Sequence, residues 1–120
     1  MQILLVDDDI RSLSGLHRFL KLSGHDCDAL DSPVEALSLY QRKHHELVIS
    51  DLKMPGIDGI ELLQQIRRCN PQSHVIIISG YANDQTAAFV LQQGALALLS
   101  KPVDLEEILS IIETLETSPS

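Results

Sequence analysis

Cysteine is scarce in this 120-residue chain: Cys27 and Cys69 stand alone, in unlike contexts and without CxxC spacing. A disulfide framework is therefore excluded as the organising principle, and two buried free thiols are expected. Long apolar runs are also missing, since none approaches the roughly 18 residues that a membrane span requires. Basic residues nearly vanish from the second half. Residues 1–68 carry 11 acids and 8 bases, whereas residues 69–120 carry 6 acids and Lys101 alone, which divides the formal charge of −8 into −3 and −5. Such a surface repels phosphate backbones, so no direct nucleic-acid contact by this domain is expected. No leader pattern is expected where Met1 runs straight into an apolar segment, and the expected compartment is the cytoplasm.

What is present suits one globular unit with a core of its own. Apolar content is 44% and charged content 22%, ordinary for a domain that buries one core. Short runs rich in Val, Ile and Leu at 3–6, 47–50, 75–79 and 95–99 predict strands buried on both faces. Cys27-Asp28-Ala29-Leu30 is the weakest strand candidate, placed there because a strand is needed between two helical segments. Helix starts are better marked: Ser32-Pro33-Val34-Glu35, Asp58-Gly59-Ile60-Glu61 and Asp104-Leu105-Glu106-Glu107 each follow capping-box logic. Gly24 and Gly94 are placed as helix stops. Leu105, Ile108, Leu109, Ile112 and Leu115 form the apolar stripe of a last helix. The order βαβαβαβαβα implies right-handed crossovers and a parallel sheet covered on both faces. Residues 1–116 are expected to form the domain, with 117–120 a polar tail or the start of a linker.

The chemistry-bearing residues sit where strands end. Asp7 and Asp8 close the first run, Asp51 the third strand, Ser79 the fourth and Lys101 the fifth, and an open parallel sheet gathers such positions outside its carboxyl edge. Three carboxylates in one place need cations. The pair Asp7-Asp8 suits Mg²⁺, which takes one or two protein carboxylates and keeps other oxygens for water or phosphate. With a metal in place Asp51 stays ionised, and a carboxylate can attack phosphorus to give an acyl phosphate. Lys101 then offers an ammonium to Asp51 or to a phosphate oxygen, and Ser79 offers a hydroxyl at the same edge.

Leu4-Leu5-Val6-Asp7-Asp8-Asp9, Asp51-Leu52-Lys53-Met54-Pro55-Gly56-Ile57-Asp58-Gly59, Ser79-Gly80-Tyr81 and Gly94-Ala95 followed by Lys101-Pro102 resemble the response-regulator receiver domain of two-component signalling. The resemblance keeps the family's order over essentially the whole chain. It implies a flavodoxin-like (βα)5 doubly wound α/β sandwich with a five-stranded parallel sheet of order 2-1-3-4-5. It further implies Asp51 as phosphoacceptor and Asp7, Asp8, Asp51 and the backbone carbonyl of Lys53 around Mg²⁺, with Ser79 and Lys101 on the phosphoryl group. The Lys101-Pro102 bond would be cis. The phosphoryl donor would be a sensor histidine kinase or a histidine phosphotransfer protein, and an effector domain could follow Ser120. The chain would be a regulatory receiver that catalyses only its own phosphorylation and dephosphorylation.

Two departures bear on signalling. The family's usual aromatic residue three positions before the lysine is Leu98 here, so transmission is expected through Ser79 and its loop, with Tyr81 the alternative participant. Ser79 stands where threonine is commoner. The expected fifth helix carries Asp104, Glu106, Glu107, Glu113 and Glu116 without a base, so a symmetric charge-paired dimer through the fourth helix, fifth strand and fifth helix is not expected. A phosphohydrolase with an aspartyl-phosphate intermediate commonly needs an acid two residues past its nucleophile, where this chain has Lys53. A flavodoxin-like cofactor binder needs a first loop rich in Gly, Ser or Thr, and Asp7-Asp8-Asp9 would repel its phosphate. Asp9 reads as a helix cap as readily as a site residue, and His44-His45 as a solvated pair at a helix end.

Overall fold

The structure is a computed structural model that describes residues 1–54, 56–80 and 83–117. Five strands alternate with five helices: β1 Gln2–Val6, α1 Ile10–Leu22, β2 Asp26–Leu30, α2 Pro33–Lys43, β3 Leu47–Asp51, α3 Gly59–Cys69, β4 Val75–Ser79, α4 Asp84–Gln92, β5 Ala97–Ser100 and α5 Leu105–Thr117. All strand pairs are parallel and the sheet order is β2-β1-β3-β4-β5, as the resemblance implied. Tyr81, the alternative signalling participant, lies outside the described residues, as do residues 118–120. The fifth helix includes Thr117, one residue past the expected end of the domain.

Side-chain alternation along the strands sorts the core into two layers. Leu4, Val6, Val48, Val75 and Ile77 join Ala36 and Tyr40 of α2, Leu62, Leu63 and Ile66 of α3, and Val90 of α4. Ile3, Leu5, Leu47, Ile49, Ile76 and Ile78 face the other way, against Leu13 and Leu20 of α1 and Ile108 and Ile112 of α5. Each central strand therefore buries both its faces, which explains the unbroken apolar runs.

The expected helix caps form. The Ser32, Asp58 and Asp104 side chains accept the backbone N–H groups of Glu35, Glu61 and Glu106 at 3.3, 2.9 and 3.0 Å. Gly24 and Gly94, at φ of +93° and +102°, follow α1 and α4 in the left-handed region that stops a helix at little cost to glycine. The weak strand candidate is a full strand, paired with β1 from Gln2↔Asp26 to Val6↔Leu30.

Four expectations are corrected. Cys69 is exposed, because α3 turns its last residue outward, and only Cys27 is a buried thiol. In α5 the inward stripe is Ile108, Ile111, Ile112 and Leu115, while Leu105 remains 37% exposed and Leu109 is only partly covered. The fifth strand begins at Ala97 rather than residue 95, since Ala95 still belongs to the turn that leaves α4. His45 is not solvated. It is 4% exposed, its Nε2 lies 2.8 Å from Asp28 Oδ2, and its ring stacks with buried Tyr40. His44 takes the left-handed cap of α2 at φ 51°, and that reversal turns the next side chain inward.

Candidate functional site

Backbone hydrogen bonds continue past the strand ends and fix the residues that carry the chemistry. The Asp7 N–H donates to the Leu30 carbonyl at 3.2 Å, Leu52 N–H to the Ile78 carbonyl at 2.8 Å, and Lys101 N–H to the Ser79 carbonyl at 3.0 Å. In register, Asp51 pairs with Ile78 and Ser79 with Ser100, so Asp51, Ser79 and Lys101 come from adjacent steps of one sheet edge. Asp7 follows Val6, which lies beside Ser50 of the same central strand. The convergence expected from the strand ends is thus produced by the ladder itself.

Ligand oxygens of Asp7, Asp8 and Asp51 all lie within 4.8 Å of one another. Asp51 is the enclosed member at 8% exposure, Asp7 is half-buried and Asp8 faces solvent. Lys101 Nζ lies 3.1 Å from Asp51 Oδ1, and the Leu52 N–H donates to the same oxygen at 3.1 Å. Burial pushes the Asp7 carboxyl above its ordinary value; the N–H of Asp9 and the Lys101 charge oppose this, and the charges of Asp51 and Asp8 add to it. Partial burial acts to lower Lys101, but the hydrogen bond and charge of Asp51, with the charges of Asp7 and Asp9, outweigh it and hold the ammonium above its usual range. One lysine faces three acids, and the unbalanced negative charge is the physical reason the pocket favours a further cation.

Asp9 is resolved as a cap. Its carboxylate accepts the Arg11 N–H at 3.0 Å and the Ser12 hydroxyl at 3.2 Å, while its own N–H donates to Asp7 Oδ1 at 2.9 Å. The first turn of α1 therefore orients Asp7. Lys53 stands two residues past Asp51 in the loop before α3. The Lys101-Pro102 bond is cis. Leu98 is half-buried in β5, paired with Ile77 and packed on the α2–α3–α4 layer.

One positioning residue was not recognised from sequence as more than part of a motif. A Cβ on Gly59 would overlap the Asp51 carbonyl oxygen and approach Leu52 Cα to 2.9 Å, and the Gly59 N–H donates to the Leu52 carbonyl at 2.8 Å. Helix α3 thus begins in direct contact with the backbone that carries Asp51. The sequence signal was Asp58-Gly59 at the cap, where glycine is an unfavourable first helical residue unless close approach requires it.

The donor set is all hard oxygen and fits Mg²⁺. Octahedral ligands at about 2.1 Å place cis oxygens about 3 Å and trans oxygens about 4 Å apart, so carboxylate oxygens within 4.8 Å need only a small inward movement. Soft or borderline metals would be poorly served by a site without nitrogen or sulfur.

Comparison with known proteins agrees with this fold. Residues 3–113 match the response regulator receiver domain. The DNA-binding transcriptional regulator NtrC of Escherichia coli (strain K12) is 35% identical over 109 residues, which are 91% of this chain and 23% of that protein. The response regulator protein FleR of Pseudomonas aeruginosa is 37% identical over 111 residues, 92% of this chain and 24% of FleR. A solved response regulator receiver domain protein from Clostridium thermocellum has a TM-score of 0.89 at 28% identity, covering 95% of this chain and 92% of that one. The chain spans about a quarter of the length of the curated relatives it matches. With the family match running from the first strand into the last helix, this chain belongs to the response regulator receiver domain family.

Proposed function

We propose that Asp51 accepts a phosphoryl group from a phosphohistidine on a sensor histidine kinase or a histidine phosphotransfer protein, in a Mg²⁺-dependent step. The observation that carries this reading is the Asp51 carboxylate, 8% exposed, with a lysine ammonium at 3.1 Å and two further acids beside it. Asp7, Asp8, Asp51 and the Lys53 carbonyl would hold the ion. When bound, it neutralises the acids and the incoming phosphoryl oxygens.

The chain's own residues do the rest. An Asp51 oxygen forms the new P–O bond as the P–N bond of the donor breaks, and the released imidazole takes a proton from solvent. Lys101 exchanges its carboxylate contact for a phosphoryl oxygen, and the Leu52 N–H keeps the Asp51 side chain from turning away. A groove of about 700 Å³ between α1 and the start of α5 adjoins the site, with Asp7 and Lys101 at one end and Leu16, Val103 and Leu105 along its wall. It offers a donor helix a route to the carboxylate.

Ser79 and Lys101 then report occupancy of Asp51 to the α4-β5-α5 face, which changes affinity for a partner or for an effector domain beyond Ser120. Residues 1–116, with the last residue of α5, act as the receiver in the cytoplasm, and the residues that follow are a tail or the start of a linker to an effector domain. The α5 surface has five acids around its first turn and exposed side with no base, so its contacts do not include a symmetric charge-paired dimer. No helix among the described residues is long and apolar enough to cross a membrane.

Beryllofluoride, a phosphoryl mimic, tests the relay. Added with Mg²⁺, it should shift amide resonances around Asp51, Ser79 and Lys101 and also along α4 and β5. Ser79→Ala should keep the first set and lose most of the second. Equal shifts along α4 and β5 in Ser79→Ala would remove Ser79 from the relay.

A further inference from the structure

We propose a second binding site, for a small oxyanion of the carboxylate or phosphate class, at the end of the sheet opposite Asp51. A cleft of about 420 Å³ opens there between the end of α3, the start of β4 and the α4–β5 turn, with Arg67, Gln72, Ser73, His74, Gly94 and Leu96 among its walls.

Three observations converge on an anion. Arg67 is half-buried, and the charged contacts among the described residues are Lys43 and His45 on Asp28 and Lys101 on Asp51, so no described carboxylate sits on its guanidinium. Among the described residues its guanidinium makes a 3.3 Å hydrogen bond from Nη1 to the Ser73 carbonyl, which leaves most of a five-donor fork for another acceptor.

Next to it, the Ser73 hydroxyl is buried without a hydrogen-bond partner, in a residue only 8% exposed. A buried hydroxyl left unpaired is costly, and rotation of the Ser73 side chain toward the cleft would let a bound oxyanion satisfy it. The third observation is compositional. In a chain with 17 acids, residues 62–83 and 85–103 contain none, and these two segments supply every residue named in the cleft wall.

The cradle is also shaped for the arginine. A Cβ on Gly94 would overlap the Arg67 side chain and lie 2.9 Å from Cζ, so the glycine at φ +102° gives the guanidinium its place against the turn. An oxyanion between Arg67 and Ser73 would tie the α3–β4 connection to the α4–β5 turn. Both connections belong to the elements that carry Ser79 and Lys101 at the other end.

The test is an NMR titration of the full chain, without divalent metal, using inorganic phosphate in one arm and acetate in the other. Saturable shifts confined to amides of residues 67–74 and 94–96 are expected with at least one anion, and the tighter anion identifies the headgroup class. Arg67→Gln should weaken binding about tenfold or more, the loss of a charge-assisted hydrogen bond. Ser73→Ala, which keeps the Arg67 packing on Gly94, should weaken it several-fold. Linear shifts with neither anion saturating, shifts confined to the Asp51 pocket, or unchanged affinity in both variants would overturn the proposal. Phosphorylation of Asp51 is measured separately, so failure of either proposal leaves the other standing.

Discussion

Lys101 Nζ reaches Asp51 Oδ1 at 3.1 Å across the end of the sheet, a one-third-exposed ammonium meeting a nearly enclosed carboxylate. Lys101 compensates the enclosed Asp51 charge among three acids, so removing the lysine alone is expected to cost more than removing both. Lys101→Met should destabilise the metal-free chain by about 1–3 kcal/mol, and adding Asp51→Asn should recover much of that loss. Urea unfolding of the two single variants and the double variant measures the coupling. Strictly additive effects would show that the pair carries no interaction energy.

Gly59 is expected to tolerate no side chain. Gly59→Ala forces a methyl group into the Asp51 carbonyl and Leu52 Cα, and overpacking of this kind costs about 1–3 kcal/mol. Because the strain falls on the backbone of Asp51, the proposed phosphoacceptor, phosphorylation by an acyl-phosphate donor should slow as well. Unchanged stability and unchanged rate would show that α3 moves aside freely.

Asp28 gives the chain an acid-sensitive contact far from the site. The hydrogen bond from Lys43 at 2.7 Å, followed by that from His45, holds its carboxyl below the ordinary value of 3.8 against the opposing effect of burial. The unfolded chain thus binds this proton more readily than the folded one. The stabilisation is complete above about pH 4 and is lost as pH falls through the lowered folded value. The stability difference between the natural chain and Asp28→Asn should therefore be full at neutral pH and shrink toward pH 3. A constant difference over that range would contradict the assignment.

The two thiols should differ sharply in reactivity. Burial, with the Asp28 charge adding and Lys21 opposing, pushes Cys27 from 9.0 up to about 12, and little of it is thiolate at neutral pH. Cys69 is exposed at the end of α3. Alkylation of the folded chain at pH 8 should stop at one adduct by intact mass, absent in Cys69→Ser. Two adducts forming at similar rates would show that β2 opens.

The sequence made the site more legible than its surroundings, for a geometric reason. Asp7, Asp51, Ser79 and Lys101 are located by where strands end, and long Val/Ile/Leu runs locate strand ends well. Strand β2 is hard to see in the sequence because it carries Asp26 and Asp28, and Asp28 is paired with Lys43 at the end of α2 and His45 just beyond it, 15 and 17 residues along the chain. His45 was misplaced for the same reason: its burial depends on the left-handed turn at His44 and on a partner 17 residues away. In α5 a periodic stripe of five residues was too wide for the sheet edge it covers. Ile111 took the place of Leu105 and Leu109. Gly59 was visible as a glycine, but its contact with Asp51 required the turn between them.

The phosphoacceptor assignment is tested most directly by intact mass after incubation with a small acyl-phosphate donor and Mg²⁺. One phosphoryl adduct is predicted on the natural chain, none on Asp51→Asn, and none without a divalent metal. An adduct that persists in Asp51→Asn, or forms equally well with the metal chelated, would contradict the assignment.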